Sequence, residues 1–191
     1  NNDVEIITES WLEEMLQLCQ QKDVGMAGAK LYYPDDTIQH AGVVVGLGGV
    51  AAHVLCKLPR DAEGYMGRLR CVQEISAVTA ACMMVKTSVF KAVGGFDEEL
   101  KVAFNDIDLC MKVRKYGVKI VFTPYAELYH YESKSRGMED TPEKQLRFSR
   151  EVNCFRRKWE RELLKGDPYY NPNLTLNNTD CSLRKQEKNG D

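Results

Sequence analysis

The stretch from Asp106 to Phe122 constrains the fold more than any other part of this chain. Asp106-Ile107-Asp108 opens a run whose basic residues, Lys112, Arg114 and Lys115, gather at its far end, and Gly117 lies just beyond. Acidic residues first and basic residues last complement the dipole of a helix, and a glycine past the last turn ends one. The spacing predicts a helix over 106–116. Val118 to Phe122 then reads as a strand, stopped by Pro124. A helix that feeds a strand across a single glycine is a piece of α/β structure.

The same alternation runs through the rest. Ser10 and Glu13 have capping-box spacing, and Trp11, Met15 and Leu18 share one face, which predicts a helix over 8–21. Residues 24–33 read as a buried strand ending in the turn Pro34-Asp35-Asp36, and 38–45 as a second strand. Gly46, Gly48 and Gly49 make a loop without phosphate-loop spacing. Residues 58–67, with Pro59, Gly64 and Gly67, read as a loop, with or without a short helix in it. Residues 75–85 read as a buried strand, and 87–93 as a short helix stopped by Gly94-Gly95. Thr141 as N-cap and Pro142 in the first turn start a long helix with the stripe Phe148, Val152, Phe155, Trp159 and Leu163. Trp159 reads as a core anchor whose basic neighbours Arg156, Arg157 and Lys158 are solvated. The reading is one α/β domain over 1–166, followed by a polar tail, draped or disordered, over 167–191.

Bulk properties narrow the function classes. The 191 residues, 43% hydrophobic and 28% charged, suit one soluble domain with a sizeable core. A formal net charge of -2 provides no field for nucleic acid. The longest apolar run, 42–56, is broken by glycines and His53 and is too short to cross a bilayer. Seven cysteines without a CxxC pair read as reduced core thiols, which implies a cytoplasmic protein. The chain begins at Asn1, not Met, and is expected to be a piece of something longer.

The residues that carry chemistry lie mostly between Phe104 and Gly137. Asp106 and Asp108 open the helix; Tyr129-His130-Tyr131 ends a strand; Lys134 and Arg136 sit in a Ser/Gly loop. Carboxylate, imidazole and cations together suit a diphosphate held by a divalent metal. Each has a simpler reading when taken alone. The two aspartates are helix-start acids, and with Leu109 and Val113 packing inward they cannot both face the same way. His130 is a hydrogen-bonded structural histidine, Asp3 a surface aspartate, and Lys134 with Arg136 a solvated pair.

In order and spacing, a longer set of segments resembles glycosyltransferase family 2. Asn1-Asn2-Asp3 resembles the family's Asp-x-Asp position, with only the last aspartate kept. Val24 to Leu31 resembles the following strand. Gln39-His40-Ala41-Gly42-Val43 and Gly46-Leu47-Gly48-Gly49 resemble a segment of the members that build bacterial surface polysaccharides, as does Asp167 to Leu174. Thr79 to Met84 and Val93 to Glu98 resemble the strand and turn beside the acceptor cleft. Asn105-Asp106-Ile107-Asp108-Leu109 stands where the family usually has two acids before x-Asp-Leu, with Asn105 in place of the first.

The resemblance implies the C-terminal part of an A-type nucleotide-diphospho-sugar transferase domain, a mixed sheet flanked by helices. It implies inverting transfer of a sugar from a nucleotide-diphosphate donor to a glycan or lipid-linked glycan in cell-surface polysaccharide synthesis. Asp106 becomes the general base, Asp3 and His130 the ligands of Mg²⁺ or Mn²⁺, and Thr79, Ala80, Asp108, Lys134 and Arg136 the substrate-binding residues. The nucleobase-binding half is expected to precede Asn1, so the chain by itself is expected to be inactive and to bind nucleotide sugars weakly. A cytoplasmic place, at or near the inner face of the cell membrane, is expected. The alternative is a non-catalytic scaffold that forms a homodimer through exposed apolar surface. A two-metal hydrolase needs more His and Asp ligands than these.

Overall fold

The computed structural model describes residues 1–131 and 141–185. Along these the elements run β1 (Val4–Ile6), α1 (Trp11–Cys19), β2 (Val24–Tyr32), β3 (Ile38–His40), β4 (Val43–Val45), β5 (Ala51–His53), β6 (Gln73–Glu74), β7 (Met83–Val85), α2 (Thr87–Ala92), α3 (Asn105–Lys115), β8 (Lys119–His130), α4 (Pro142–Lys158) and α5 (Glu160–Lys165). The architecture is α/β, with a mixed sheet and helices against it. The sheet runs β1-β8-β2-β3, with β6 also on β8 and β7 on β2. β2 and β8 are parallel, and every other pairing in this sheet is antiparallel. β4 and β5 form a separate hairpin.

β2 is the spine. All nine of its residues are buried because both faces are covered, which is why its sequence is apolar on both faces rather than alternating, with Lys30 the one charged residue, donating to Leu69 O at 3.3 Å. Ala27, Ala29 and Leu31 point to a layer with Met15, Leu18 and Cys19 of α1. Met26 and Tyr32 point the other way, into a core with Val78, Leu109, Cys110, Phe122, Phe155 and Trp159. Gly28 lies beneath Val78, where a Cβ would stand 2.3 Å from Val78 Cγ1. Only a glycine lets the segment at 78 approach the sheet this closely.

Several expected boundaries shift. Residues 38–45 are two strands rather than one: the chain turns at Ala41 and Gly42, the latter with φ +106°, and β4 leaves the main sheet to pair with β5. Of 75–85 only the last three residues are a strand. Residues 75–82 are held largely through contacts outside the ladder, so an apolar run here signals burial and not strand. Pro124 does not stop β8, which continues to His130. Between the pairs Gly28↔Phe122 and Lys30↔Glu127, β8 carries four residues opposite the single Ala29. That bulge takes Pro124 out of the ladder, where its missing N–H costs nothing.

α1 starts at Trp11 without a side-chain cap from Ser10, so the capping-box reading is corrected. At α4 the cap does form, with Thr141 Oγ1 accepting the Lys144 N–H at 3.4 Å. The stripe on that helix holds Phe155 and Trp159 in the core, while Phe148 stays 43% exposed. The polar segment after 166 is draped as far as residue 185. Asp167 Oδ2 accepts the Val45 N–H at 2.8 Å, Leu55 N–H donates to Thr179 O, and Tyr170, Leu174 and Cys181 are buried. Among the described residues no helix is long and apolar enough to cross a membrane.

Candidate active site

The site is built around the backbone of residues 78–81, which crosses from the sheet toward the start of α3. Three successive N–H groups there donate to side chains from other elements. Val78 N–H meets Cys110 Sγ at 3.4 Å, Thr79 N–H meets His40 Nε2 at 3.4 Å, and Ala80 N–H meets Asp106 Oδ2 at 3.0 Å. A segment outside the sheet must satisfy its amides in some way, and here side chains replace the ladder. Ala80 is thus pinned to Asp106 and Thr79 to His40.

Asp106 sits in the first turn of α3. The residue before the helix, Phe104, adopts a left-handed backbone (φ +63°), uncommon for a residue with a large side chain. It is held there by packing on Phe148 and Phe155, with ring centroids 5.8 and 5.4 Å away. Immediately upstream, the buried Glu151 of α4 accepts backbone N–H bonds from Lys101, Val102 and Ala103 at 3.1, 3.2 and 2.9 Å. Asp106 Oδ1 accepts its neighbour's Ile107 N–H at 2.8 Å. Each carboxylate oxygen of Asp106 therefore has one backbone donor, and a carboxylate offers about four lone-pair sites, so capacity to take a proton is left over.

Asp108 faces the other way and has no exposed surface. Its Oδ1 accepts from Trp159 Nε1–H at 2.8 Å and from Lys158 Nζ at 2.8 Å, and Lys112 Nζ lies 3.3 Å from Oδ2. Lys158 also pairs with Asp97, and that hydrogen bond holds the Asp97 carboxyl below its usual range. The expectation that Asp108 binds substrate is corrected: the carboxylate is fully buried, its Oδ1 ties α3 to Trp159 and Lys158, and its Oδ2 faces Lys112 of the same helix with no hydrogen-bond partner among the described residues. Lys158, read as solvated, is part of this anchor.

Asp3 and His130 meet. Val4 pairs with His130 across β1 and β8, and Tyr131 N–H donates to Asp3 O at 2.9 Å. His130 Nε2 lies 3.4 Å from Asp3 Oδ1, a buried oxygen with no hydrogen-bond partner among the described residues. The histidine stands at the carboxyl end of β8, beside the carboxyl end of its parallel neighbour β2, where ligands of open α/β sheets gather. An orphaned carboxylate oxygen next to an imidazole nitrogen fits a divalent cation. Among the described residues no cluster of three or more His, Cys, Asp or Glu could hold a metal, so such an ion would need further oxygens from a ligand.

Asn1 links the two halves. Its main-chain nitrogen donates to Ala81 O at 3.1 Å, and its side-chain nitrogen lies 3.3 Å from His130 Nε2. Asp106, Ala80–Ala81, Asn1 and His130 thus lie along one line of contacts, with Asp3 beside His130 but not hydrogen-bonded to it. A cavity of about 180 Å³ opens beside it, lined by Tyr33, Gln39, His53, Cys56, Thr79 and His130. A wider groove of about 1030 Å³ lies among Lys30, Arg60 and Glu127, where Arg60 is already paired with Asp36 and Glu127.

Residues 3–151 match the family described as "Glycosyltransferase like family 2". The chain belongs to that family. Its mixed sheet and flanking helices are an A-type glycosyltransferase arrangement. Over 184 residues this family 2 chain is 58% identical to "Uncharacterized protein y4gI" of Sinorhizobium fredii, covering 96% of the chain and 20% of that protein. It is 39% identical over 192 residues to "O-antigen biosynthesis protein RfbC" of Myxococcus xanthus, covering all of the chain and 15% of that protein. A shorter match, 36% over 62 residues, covers 32% of the chain and 20% of the N-acetylglucosaminyl-diphospho-decaprenol L-rhamnosyltransferase of Mycobacterium tuberculosis. The chain thus spans no more than a fifth of the length of these relatives.

Against this family 2 frame, two expected residues, Lys134 and Arg136, lie outside the described residues. Three others were not singled out as site residues from sequence: Gln39, His40 and Glu151. His40 is fully buried; burial, with His53 and His130 nearby, pushes its imidazole well below the ordinary histidine value. The signal for it was a histidine inside an apolar strand, which must find a partner if buried.

Proposed function

We propose that this chain carries the acceptor and metal side of an inverting glycosyltransferase. It would move a sugar from a nucleoside-diphosphate donor to a glycan or lipid-linked glycan in surface polysaccharide assembly. The observation that carries the reading is the line from Asp106 through Ala80–Ala81 and Asn1 to His130 and Asp3, which sets a carboxylate base and a cation-fitting pair around one segment. Support for the pathway comes from the names of two relatives, an O-antigen biosynthesis protein and an N-acetylglucosaminyl-diphospho-decaprenol L-rhamnosyltransferase.

In this reading the acceptor hydroxyl attacks the anomeric carbon while its proton passes to Asp106. The bond from that carbon to the diphosphate oxygen breaks, and the diphosphate leaves with the electron pair from the face opposite the attack. Thr79 and Ala80 border the acceptor, and Lys134 and Arg136 help neutralise the leaving group. Asp3 and His130 would hold Mg²⁺ or Mn²⁺, which when bound offsets the charge of the diphosphate.

The test is a panel of nucleotide sugars against the full-length protein, read by thermal shift and by release of nucleoside diphosphate. One donor at a hundred times its dissociation constant should stabilise the protein by about 2.7 kcal/mol, with the gain dependent on Mg²⁺ or Mn²⁺. Stabilisation that is the same in chelator removes the metal from the reading. No response to any donor, with acceptor present, removes the transferase reading for this chain.

A further inference from the structure

We propose that Gln39 is a positioning residue that sets the tautomer of His130, so that Nε2 presents a lone pair on the side of Asp3; the use of that lone pair rests on the reading of Asp3 and His130 as cation ligands. Gln39 lies on β3 and is 3% exposed. Its side chain grips His130 twice. Gln39 Nε2 donates to the His130 backbone carbonyl at 3.2 Å, and Gln39 Oε1 lies 2.8 Å from His130 Nδ1. The first contact fixes the amide. Turned over, it would set its oxygen against the carbonyl oxygen of His130 and its NH₂ against the ring. With the amide oxygen facing the ring, Nδ1 must carry the proton, and a neutral imidazole then has its acceptor at Nε2.

The geometry at Nε2 agrees. With Nδ1 protonated, the Nε2 lone pair accepts from Asn1 Nδ2 at 3.3 Å when no cation is bound, a contact a cation would displace, and the orphaned Asp3 Oδ1 is 3.4 Å away. Two electron-pair donors face each other there, an arrangement that suits a cation between them. An outer residue that fixes the far nitrogen of a ligating histidine is a recurrent part of metal sites. The Gln39 backbone has a second task. Its carbonyl accepts from His53 Nδ1 at 2.8 Å, and His53 lines the same cavity. One residue thus orients two imidazoles, by side chain for His130 and by main chain for His53.

That division provides the experiment. The protein has three histidines, so ¹⁵N imidazole shifts can be assigned with single His→Asn variants. At a pH where the rings are neutral and without metal, His130 should show a protonated Nδ1 and an unprotonated Nε2. Gln39→Leu should move His130 toward the Nε2–H tautomer while His53, whose partner is a main-chain carbonyl, keeps Nδ1–H. Gln39→Glu keeps an acceptor for Nδ1–H and should restore the His130 tautomer, while its second oxygen, set against the His130 carbonyl, should lower the melting temperature. Calorimetry with Mn²⁺ alone, and with Mn²⁺ plus inorganic pyrophosphate, should show affinity falling about 10–100-fold in Gln39→Leu and recovering in Gln39→Glu. A wild-type His130 protonated at Nε2, or a tautomer unchanged by Gln39→Leu, overturns the proposal. Should Gln39→Leu disturb His53 as well, the Gln39→Glu spectrum decides. Wild-type protein that binds no Mn²⁺ in either form removes the metal reading by itself, because the tautomer is read without metal.

Discussion

Asp106 and Asp108 stand two residues apart on the first turn of α3 and live in opposite surroundings. Asp106 is half-buried, with one backbone N–H on each oxygen, at the edge of a segment that reaches His130. Asp108 has no exposed surface and is ringed by two ammonium groups and an indole N–H. The difference shows how one helix start serves two ends. The front carboxylate is placed by backbone N–H groups and, among the described residues, is not neutralised by a cation. The back carboxylate is matched by cations and fixes where the front one points.

The sharpest way to break this contrast is to neutralise each acid in turn. Under the proposed role of Asp106 as base, Asp106→Asn in the full-length protein should cut transfer by on the order of 10²–10⁴ with little change in melting temperature. Asp108→Asn should do the reverse. It leaves Lys112 and Lys158 facing a neutral amide, and because those ammonium groups are partly exposed the cost should be about 2 kcal/mol, below that of fully buried pairs. Its kcat at temperatures where it stays folded should fall far less than that of Asp106→Asn. Chemical denaturation with the transfer assay checks both. Near-normal turnover in Asp106→Asn beside dead but stable Asp108→Asn would reverse the roles.

The contrast was half legible in the sequence. Helix periodicity at Leu109 and Val113 already required the two acids to point apart, but it could not say which way each faced. That depends on Trp159 and Lys158, which are far along the chain and reach Asp108 only through the packing of α4. The pairing of Asp3 with His130 was legible only through resemblance, since no spacing rule brings residues from opposite ends of the described domain together; β1 against β8 does so. Gln39, His40 and Glu151 were missed for a common reason. Each acts by accepting or donating to main chain or ring atoms of distant segments, and a polar residue in a buried strand or helix shows its need for a partner but not the partner. Pro124 misled because a proline signals the end of ladder bonding, and a four-residue bulge meets that requirement without ending β8.

A smaller effect separates the two regions by pH. On the front side, His40 accepts the Thr79 N–H and packs edge-on to His53, with His130 also near, and burial first, then those two rings, lower its folded pKa well below the ordinary 6.5. As pH falls below that value the unfolded chain takes up the proton and the folded chain does not. Stability from this group is therefore complete above about pH 6.5 and is lost toward its folded pKa, at up to about 1.4 kcal/mol per pH unit. On the back side, Asp97 is lowered from 3.8, chiefly by the Lys158 hydrogen bond, so its contribution is complete above that value and fades only in stronger acid. Urea midpoints between pH 7 and 5 should fall in the wild type and fall less in His40→Gln. Equal slopes in the two proteins would show that His40 is not what makes the front acid-sensitive.

The smallest expected effect tests the back region alone. Trp159 lies between α4 and α5, is 4% exposed, and gives Asp108 its one donor that carries no charge. Trp159→Phe keeps an aromatic ring in the core and removes the indole N–H, so the hydrogen-bond part of the loss should be about 1 kcal/mol, with a further cost for the smaller ring. A double-mutant cycle with Asp108→Asn separates these parts, because only the hydrogen-bond part depends on the state of residue 108. A coupling of about 1 kcal/mol, with kcat unchanged below the melting range, would mean that Trp159 acts on the site only by holding Asp108. Additive losses would mean that the tryptophan contributes through packing and that the two lysines alone hold the buried carboxylate. A fall in kcat as large as that of Asp106→Asn would carry the back region's influence through α3 to the base itself, and the division between a reactive front and an anchoring back would no longer stand.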